Sequence, residues 1–136
     1  MNVLVLGASG LLGSNVVTSA RERVDEVVGT YRSNEPDLNL PCYHCDLLKA
    51  ESSRDLIDEY APDIVVNCAA IGDVDECERN PAAAWKVNAD APERIAEFCH
   101  ERGISFVHIS TDYVFDGKSQ KQYTENHTPN PLQVYG

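Results

Sequence analysis

Short unbroken apolar runs alternate along this chain with stretches whose apolar residues recur every three or four positions. Val3-Leu4-Val5-Leu6 is too short for a helix and suits a strand buried on both faces of a parallel sheet. Similar runs predict strands over Val24 to Tyr31, Tyr43 to Asp46, Asp63 to Cys68 (with Ile64-Val65-Val66 as its centre) and Ile104 to Ser110. Between them, Leu12, Val16 and Ala20 repeat at four-residue spacing after the first strand, and Arg21, Glu22 and Arg23 close that helix. Residues 50 to 60 carry Leu56, Ile57 and Tyr60 on a second helix, stopped by Pro62. Ala82 to Arg102 is mostly helical and ends at Gly103; Asp90-Ala91-Pro92-Glu93 resembles a capping box with proline in the first turn, which predicts a kink or restart near Asp90. Trp85 is expected to anchor this helix, and His108, alternating with Val107 and Ile109, to face the core or a helix. Residues 34 to 41 hold two prolines and read as a loop, and Asp73 to Glu78 as a polar loop or short turn. Strands separated by helices, without an internal repeat, define an α/β doubly wound parallel sheet occupying residues 1–136 as one domain.

The first strand-to-helix junction adds chemistry. Gly7, Gly10 and Gly13 stand at three-residue spacing within Gly-Ala-Ser-Gly-Leu-Leu-Gly. A dinucleotide site needs glycines in such a turn so that the chain can reverse, the backbone can approach a pyrophosphate and the helix can pack closely on its strand. The pyrophosphate is then held by the unpaired N–H groups and positive end of the helix. The spacing is G-x-x-G-x-x-G rather than G-x-G-x-x-G, so its placement between strand and helix, more than the glycines themselves, marks a Rossmann-type nucleotide loop.

The end of the second strand bears on which dinucleotide. An acidic residue there would hold a ribose 2′-hydroxyl, as in NAD-selective domains. Here the order is Gly29-Thr30-Tyr31-Arg32-Ser33, with no carboxylate before Glu35. Arg32 offers a fork of donors for a 2′-phosphate and Ser33 a hydroxyl, so NADP(H) is preferred and NAD(H) remains usable. Asp46, past the third strand, is placed to meet an adenine amino group or to cap the next helix. Cys68, Ala69, Ala70 and Ile71 follow the fourth strand, where small residues let the backbone lie along a cofactor.

Composition narrows the alternatives. The 136 residues, 43% hydrophobic and 7% aromatic, are ordinary for a globular domain. A formal charge of −11, from 22 acidic and 11 basic residues, argues against a nucleic-acid or anionic-membrane surface. It also fits a protein kept soluble in high salt, although ordinary solubility is the simpler reading. No leader and no apolar run of membrane-span length occur, so a cytoplasmic location is expected. Five cysteines, an odd number scattered through core elements, do not suggest a disulfide framework. Cys42-Tyr43-His44-Cys45 lacks a second ligand pair for zinc, and Ser9 does not sit in a G-x-S-x-G elbow, so metalloenzyme and hydrolase chemistry is set aside.

The fifth strand runs into Ser110-Thr111-Asp112-Tyr113-Val114-Phe115-Asp116-Gly117. With the glycine loop, Asp46-Leu47, Cys68-Ala69-Ala70, Val74-Asp75-Glu76-Cys77-Glu78, Val87-Asn88-Ala89-Asp90 and Tyr135-Gly136, it resembles the extended short-chain dehydrogenase/reductase family, most closely the dTDP-4-dehydrorhamnose reductase subfamily. The resemblance implies NAD(P)H binding and reduction of the 4-keto group of a nucleotide-linked 6-deoxysugar. It matches Gly10, Leu11, Leu12, Asp46, Leu47, Ala70 and Ile71 to cofactor-contacting positions and Tyr113 to one facing the substrate; Gly7, Ser9, Gly13, Cys68, Ala69 and Asn88 are expected beside them around the cofactor. Thr111 would hydrogen-bond the carbonyl oxygen as it gains charge, and Tyr135 would give the proton. Such a reaction leaves an alkoxide-like oxygen, on which a hydrogen-bond donor and a proton source must converge.

The lysine that the family places four residues after its tyrosine does not occur here, since the sequence stops one residue after Tyr135, and no other tyrosine has a lysine at that spacing. That lysine would lower the tyrosine pKa from about 10. The expectation is an N-terminal portion of a longer reductase, without its substrate domain, that binds NADPH with little or no turnover by itself. The alternatives are a non-catalytic NADP-binding regulatory module of the same subfamily, or another sugar-nucleotide epimerase or dehydratase of the extended family. The fifth strand would present an unpaired edge unless a partner covers it, a homo-oligomer being one such arrangement. The polar tail from Lys118 to Gly136, with Pro129 and Pro131, is expected to be poorly ordered by itself.

Overall fold

The computed structural model describes residues 1–136. Five parallel strands form its sheet: β1 (Asn2–Leu6), β2 (Glu26–Tyr31), β3 (Cys42–His44), β4 (Ile64–Asn67) and β5 (Ser105–His108), in the spatial order β3-β2-β1-β4-β5. The helices are α1 (Leu11–Ala20), α2 (Ala50–Tyr60), α3 (Val74–Arg79), α4 (Pro81–Trp85) and α5 (Ala91–Glu101), with a π-turn over Lys86–Asp90 and a 3₁₀ turn over Asp112–Val114. The doubly wound sheet is as expected. β2, β4 and β5 are shorter than their predicted ranges, β1 takes in Asn2, and β3 lies at Cys42–His44 rather than over Tyr43 to Asp46.

β1 is central, and side chains alternate across it. Leu4 and Leu6 join Val28, Val65, Leu56, Ile57, Ile95 and Cys99 beneath α2 and α5. Val3 and Val5 join Val27 and Val17 beneath α1. Both faces of β1 are therefore sealed, and Leu4, Val5 and Leu6 are wholly buried. The chain runs outward from β1 through β2 to β3, then crosses back to β4, so the crossover point lies between β1 and β4. In open α/β sheets ligands bind beside the strand carboxyl ends at this point.

Several local readings change. α1 begins at Leu11 rather than after Gly13, and its buried stripe is Gly13 and Val17, while Leu12 faces outward. Asp73–Glu78 is no loop: Asp73 caps α3 by accepting from the Glu76 N–H at 2.8 Å, and Cys77 seals that helix into the core. Asp90 forms no cap, because its backbone is itself helical and the chain continues without restart from Pro81. The π-turn before Pro92 provides the adjustment: the Ala91 N–H reaches back five residues to the Lys86 carbonyl, a wider coil beside a proline that has no N–H to give. Trp85 does not anchor its helix; it is 65% exposed, because neighbouring Ala84 and Val87 take the core-facing positions. His108 lies on the α5 side of edge strand β5, stacked on Phe106, with one side open to solvent and the other partly desolvated.

The tail also departs from expectation. Asp116 accepts from the Lys118 N–H at 3.0 Å and the Tyr123 hydroxyl at 2.8 Å with one oxygen, and from the Asn130 amide at 3.0 Å with the other. Phe115 and Tyr123 stack with ring centres 4.3 Å apart. Those donors hold the Asp116 carboxyl below its usual range, the Lys118 N–H contributing most. A local hydrogen-bonded knot replaces the hydrophobic core that the tail's polar composition could not build.

Candidate nucleotide-binding site

Gly7, Gly10 and Gly13 serve three separable purposes. Gly7 turns the chain at φ +80°, and a Cβ there would lie 2.8 Å from the backbone of Ala69. Gly13 packs α1 onto the turn so closely that a Cβ would lie 2.2 Å from the Gly7 carbonyl oxygen. Gly10 is open: its nearest obstacle is that same oxygen at 3.4 Å. As the N-cap of α1 it offers no side chain, leaving the first-turn N–H groups of Leu11 and Leu12 without helical acceptors. A ten-residue helix presenting bare N–H groups behind a glycine has the chemistry to receive a phosphate group.

Thr30 fixes this turn in place. Its hydroxyl accepts from the Gly7 N–H at 3.1 Å and its carbonyl from the Ala8 N–H at 2.7 Å. Across the crossover, Asn67 is 1% exposed and accepts from the Ala69 N–H at 3.0 Å. Its amide nitrogen faces His108 Nδ1 at 3.1 Å, so His108 accepts and is neutral there; burial lowers its pKa from the ordinary 6.5. Asn88 grips the next loop residue twice, accepting from the Ile71 N–H at 2.8 Å and donating to the Ile71 carbonyl at 3.0 Å.

Between these two loops opens a groove of about 400 Å³. Among the sequence-predicted positions, Gly7, Ser9, Gly10, Arg32, Ser33, Asp46, Leu47, Cys68, Ala69, Ala70 and Ile71 line it. Leu11, Leu12, Gly13 and Asn88 do not. Leu11 is 87% exposed and contributes only backbone, Gly13 is structural, and Asn88 braces the lining from behind. Arg32 is the one cation on the groove wall and has no ion-pair partner. Asp46 lines the groove while its carboxylate accepts from the Leu48 N–H at 3.1 Å, a turn ahead of α2 rather than a cap on it. Burial raises the thiols of Cys45 and Cys68, both on the wall, keeping them protonated and uncharged.

Thr111, Tyr113 and Tyr135 lie outside the groove but close to one another. The Thr111 hydroxyl accepts from the Tyr113 N–H at 3.2 Å and lies 3.3 Å from the Asp112 carboxylate. The Tyr113 and Tyr135 rings meet edge to face at 5.7 Å. Sequence reasoning missed Thr30 and Asn67. Both are polar residues at strand ends, and only strand register shows what they hold. It also missed the D-x-x-E cap at Asp73, although that signal is present in the residues.

A parallel sheet with a glycine turn, a bare helix end and a groove at the crossover defines a dinucleotide-binding Rossmann protein. Over residues 1–136 the chain matches the model for the RmlD substrate binding domain, and it belongs to that family. It is 48% identical over its whole length to a probable low-salt glycan biosynthesis reductase of Haloferax volcanii, covering 45% of that protein. The structure of a hypothetical dTDP-4-dehydrorhamnose reductase from Sulfolobus tokodaii superposes with a TM-score of 0.90 at 39% identity, covering all of this chain and 48% of that one. A dTDP-4-dehydrorhamnose reductase from Bacillus anthracis, solved in complex with NADP, superposes at 0.81 with 28% identity, covering 98% of this chain and 44% of that one. The chain thus spans less than half the length of these relatives. No helix is long and apolar enough to cross a membrane.

Proposed function

We propose that residues 1–136 form the cofactor-holding domain of an NADP-dependent nucleotide-sugar reductase, acting on the 4-keto group of a dTDP-4-dehydro-6-deoxysugar. The observation that carries the nucleotide half of this reading is the conjunction of the open Gly10 backbone at the α1 N-terminus with the unpaired Arg32 on the same groove. The first receives a pyrophosphate and the second, with Ser33, a ribose 2′-phosphate. When bound, the nicotinamide supplies a hydride. Cys68 to Ile71 form the small-residue wall along which it extends, and Asp46 and Leu47 border the adenine end. The reductase half rests on the family and on the grouping of three residues. Thr111 donates to the carbonyl oxygen as it becomes alkoxide-like, Tyr135 gives it a proton, and Tyr113 faces the sugar.

Calorimetric titration with NADPH and NADH tests the cofactor reading. NADPH is expected to bind at least about tenfold more tightly, and Arg32→Ala to erase most of that difference while leaving NADH affinity nearly unchanged. Equal affinities in the unsubstituted chain would remove the role given to Arg32 and Ser33.

A further inference from the structure

Residues 110–136 carry Thr111, Tyr113 and Tyr135, yet a single hydrogen bond joins them to residues 1–109: the Val134 N–H donates to Glu78 Oε1 at 2.7 Å. The other polar contacts of the segment are internal, including the Asp116 knot and the Asn130 N–H on the Val114 carbonyl at 2.8 Å. Glu78 stands in the last turn of α3, which leaves directly from the groove wall at Asp73. That helix is held by its Asp73 cap and by Cys77, buried with its thiol 3.4 Å from the Ile71 carbonyl. Ile71 is the residue gripped by Asn88. A continuous set of bonded contacts therefore runs from the groove wall through α3 to the residue preceding Tyr135.

We propose that Glu78 is a positioning residue that holds Tyr135 in register with Tyr113 and ties the tail to the groove wall. This assignment rests on the reading of Tyr135 as proton donor. A carboxylate suits this role, because a backbone N–H bonded to a charged acceptor makes a short, strong contact, and here it joins partners 56 residues apart in sequence. Tyr135 is then confined on two sides, by the bond at Val134 and by Gly136, whose Cα sits so close to the Tyr113 carbonyl that a Cβ would fall 2.1 Å from its oxygen. Glutamine would keep an acceptor at the same reach, whereas aspartate would withdraw it by about 1.5 Å, one carbon–carbon bond.

The experiment follows amide hydrogen exchange at Val134 and the ring-to-ring nuclear Overhauser effect between Tyr113 and Tyr135 in the 136-residue chain and in E78A, E78D and E78Q. In E78A and E78D, Val134 is expected to exchange about tenfold faster and the Tyr113–Tyr135 cross-peak to fade, while amides of β1 and the thermal midpoint stay unchanged. E78Q is expected to recover most of the protection and the cross-peak. Unchanged exchange and an unchanged cross-peak in E78A would overturn the proposal. Should E78A also loosen α3, seen as faster exchange at Cys77, the comparison between E78D and E78Q decides: aspartate equal to wild type overturns it, and glutamine retained with aspartate lost supports it. NADPH titration of the unsubstituted chain on the same samples separates the two readings, since failure to bind would remove the cofactor assignment and leave the Glu78 result standing.

Discussion

Gly10 and Gly13 are three residues apart and answer to different forces. A methyl at Gly13 would overlap the Gly7 carbonyl, which neither α1 nor the turn can vacate without losing contacts beneath the helix. Gly13→Ala is therefore expected to cost about 3 kcal/mol or more, the scale of overpacking a tight site, measured by urea unfolding. Gly10 has φ −82°, which alanine adopts freely, and only ordinary contacts around it. Gly10→Ala should fold with a change below about 1 kcal/mol, yet lose at least tenfold in NADPH affinity, because under the proposed function the methyl would stand in the path of the phosphate. Wild-type affinity in that variant would mean that the pyrophosphate does not pass over Gly10. The same pair shows what was readable from residues alone. Three glycines after a buried strand announced a nucleotide turn, but the division of labour among them depends on distances to Gly7 and Ala69 that no spacing encodes.

At the scale of elements, the end of β4 joins the groove to β5. Asn67 braces Ala69 on one side and requires a neutral His108 on the other. Because burial depresses the folded pKa of His108 below 6.5, the unfolded chain binds that proton more readily. Stability should then fall as pH drops through 6.5 toward the depressed value, and flatten below it. Thermal unfolding between neutral and mildly acidic pH is expected to show this decline, with His108→Asn visibly flatter; parallel pH profiles would exclude the bond from the stability of this junction. The strands and α2 were legible because an apolar run or a 3.6-residue period states its element directly. α3 was not, since six residues give no period and its identity lies in the Asp73 cap. The π-turn was not either: Pro92 announced a disturbance, and only the backbone shows that the chain swells rather than breaks.

Across the whole molecule, the sheet has two edges, a short one at β3 and a longer one at β5. β3 is a three-residue edge, whereas β5 leaves one row of backbone groups unpaired, with Val107 and Ile109 45% and 43% exposed beside it. Such an edge recruits other strands, and the net charge of −11 opposes this only over the Debye length. The chain is expected to self-associate as concentration and salt rise, followed by light scattering, and Val107→Lys to suppress it without lowering the thermal midpoint. Equal scattering from the variant would show that the edge is not the contact. The bare edge was legible from strand count and order. The folded tail was not, because its mostly polar sequence carries no periodic signal and is gathered by scattered contacts, among them the Asp116 carboxylate satisfied three times over and the Phe115–Tyr123 stack.

The close seating of Gly7 against Ala69 has one further consequence. The glycine turn and the groove wall after β4 are packed directly against each other, and each is tied down by a buried side chain, Thr30 or Asn67. Under the proposed function, a nucleotide arriving between them would find both loops already set, and little conformational entropy would be surrendered on capture. A receptor assembled in advance makes encounter, not rearrangement, the slow step, and lets affinity be set by how quickly the nucleotide leaves.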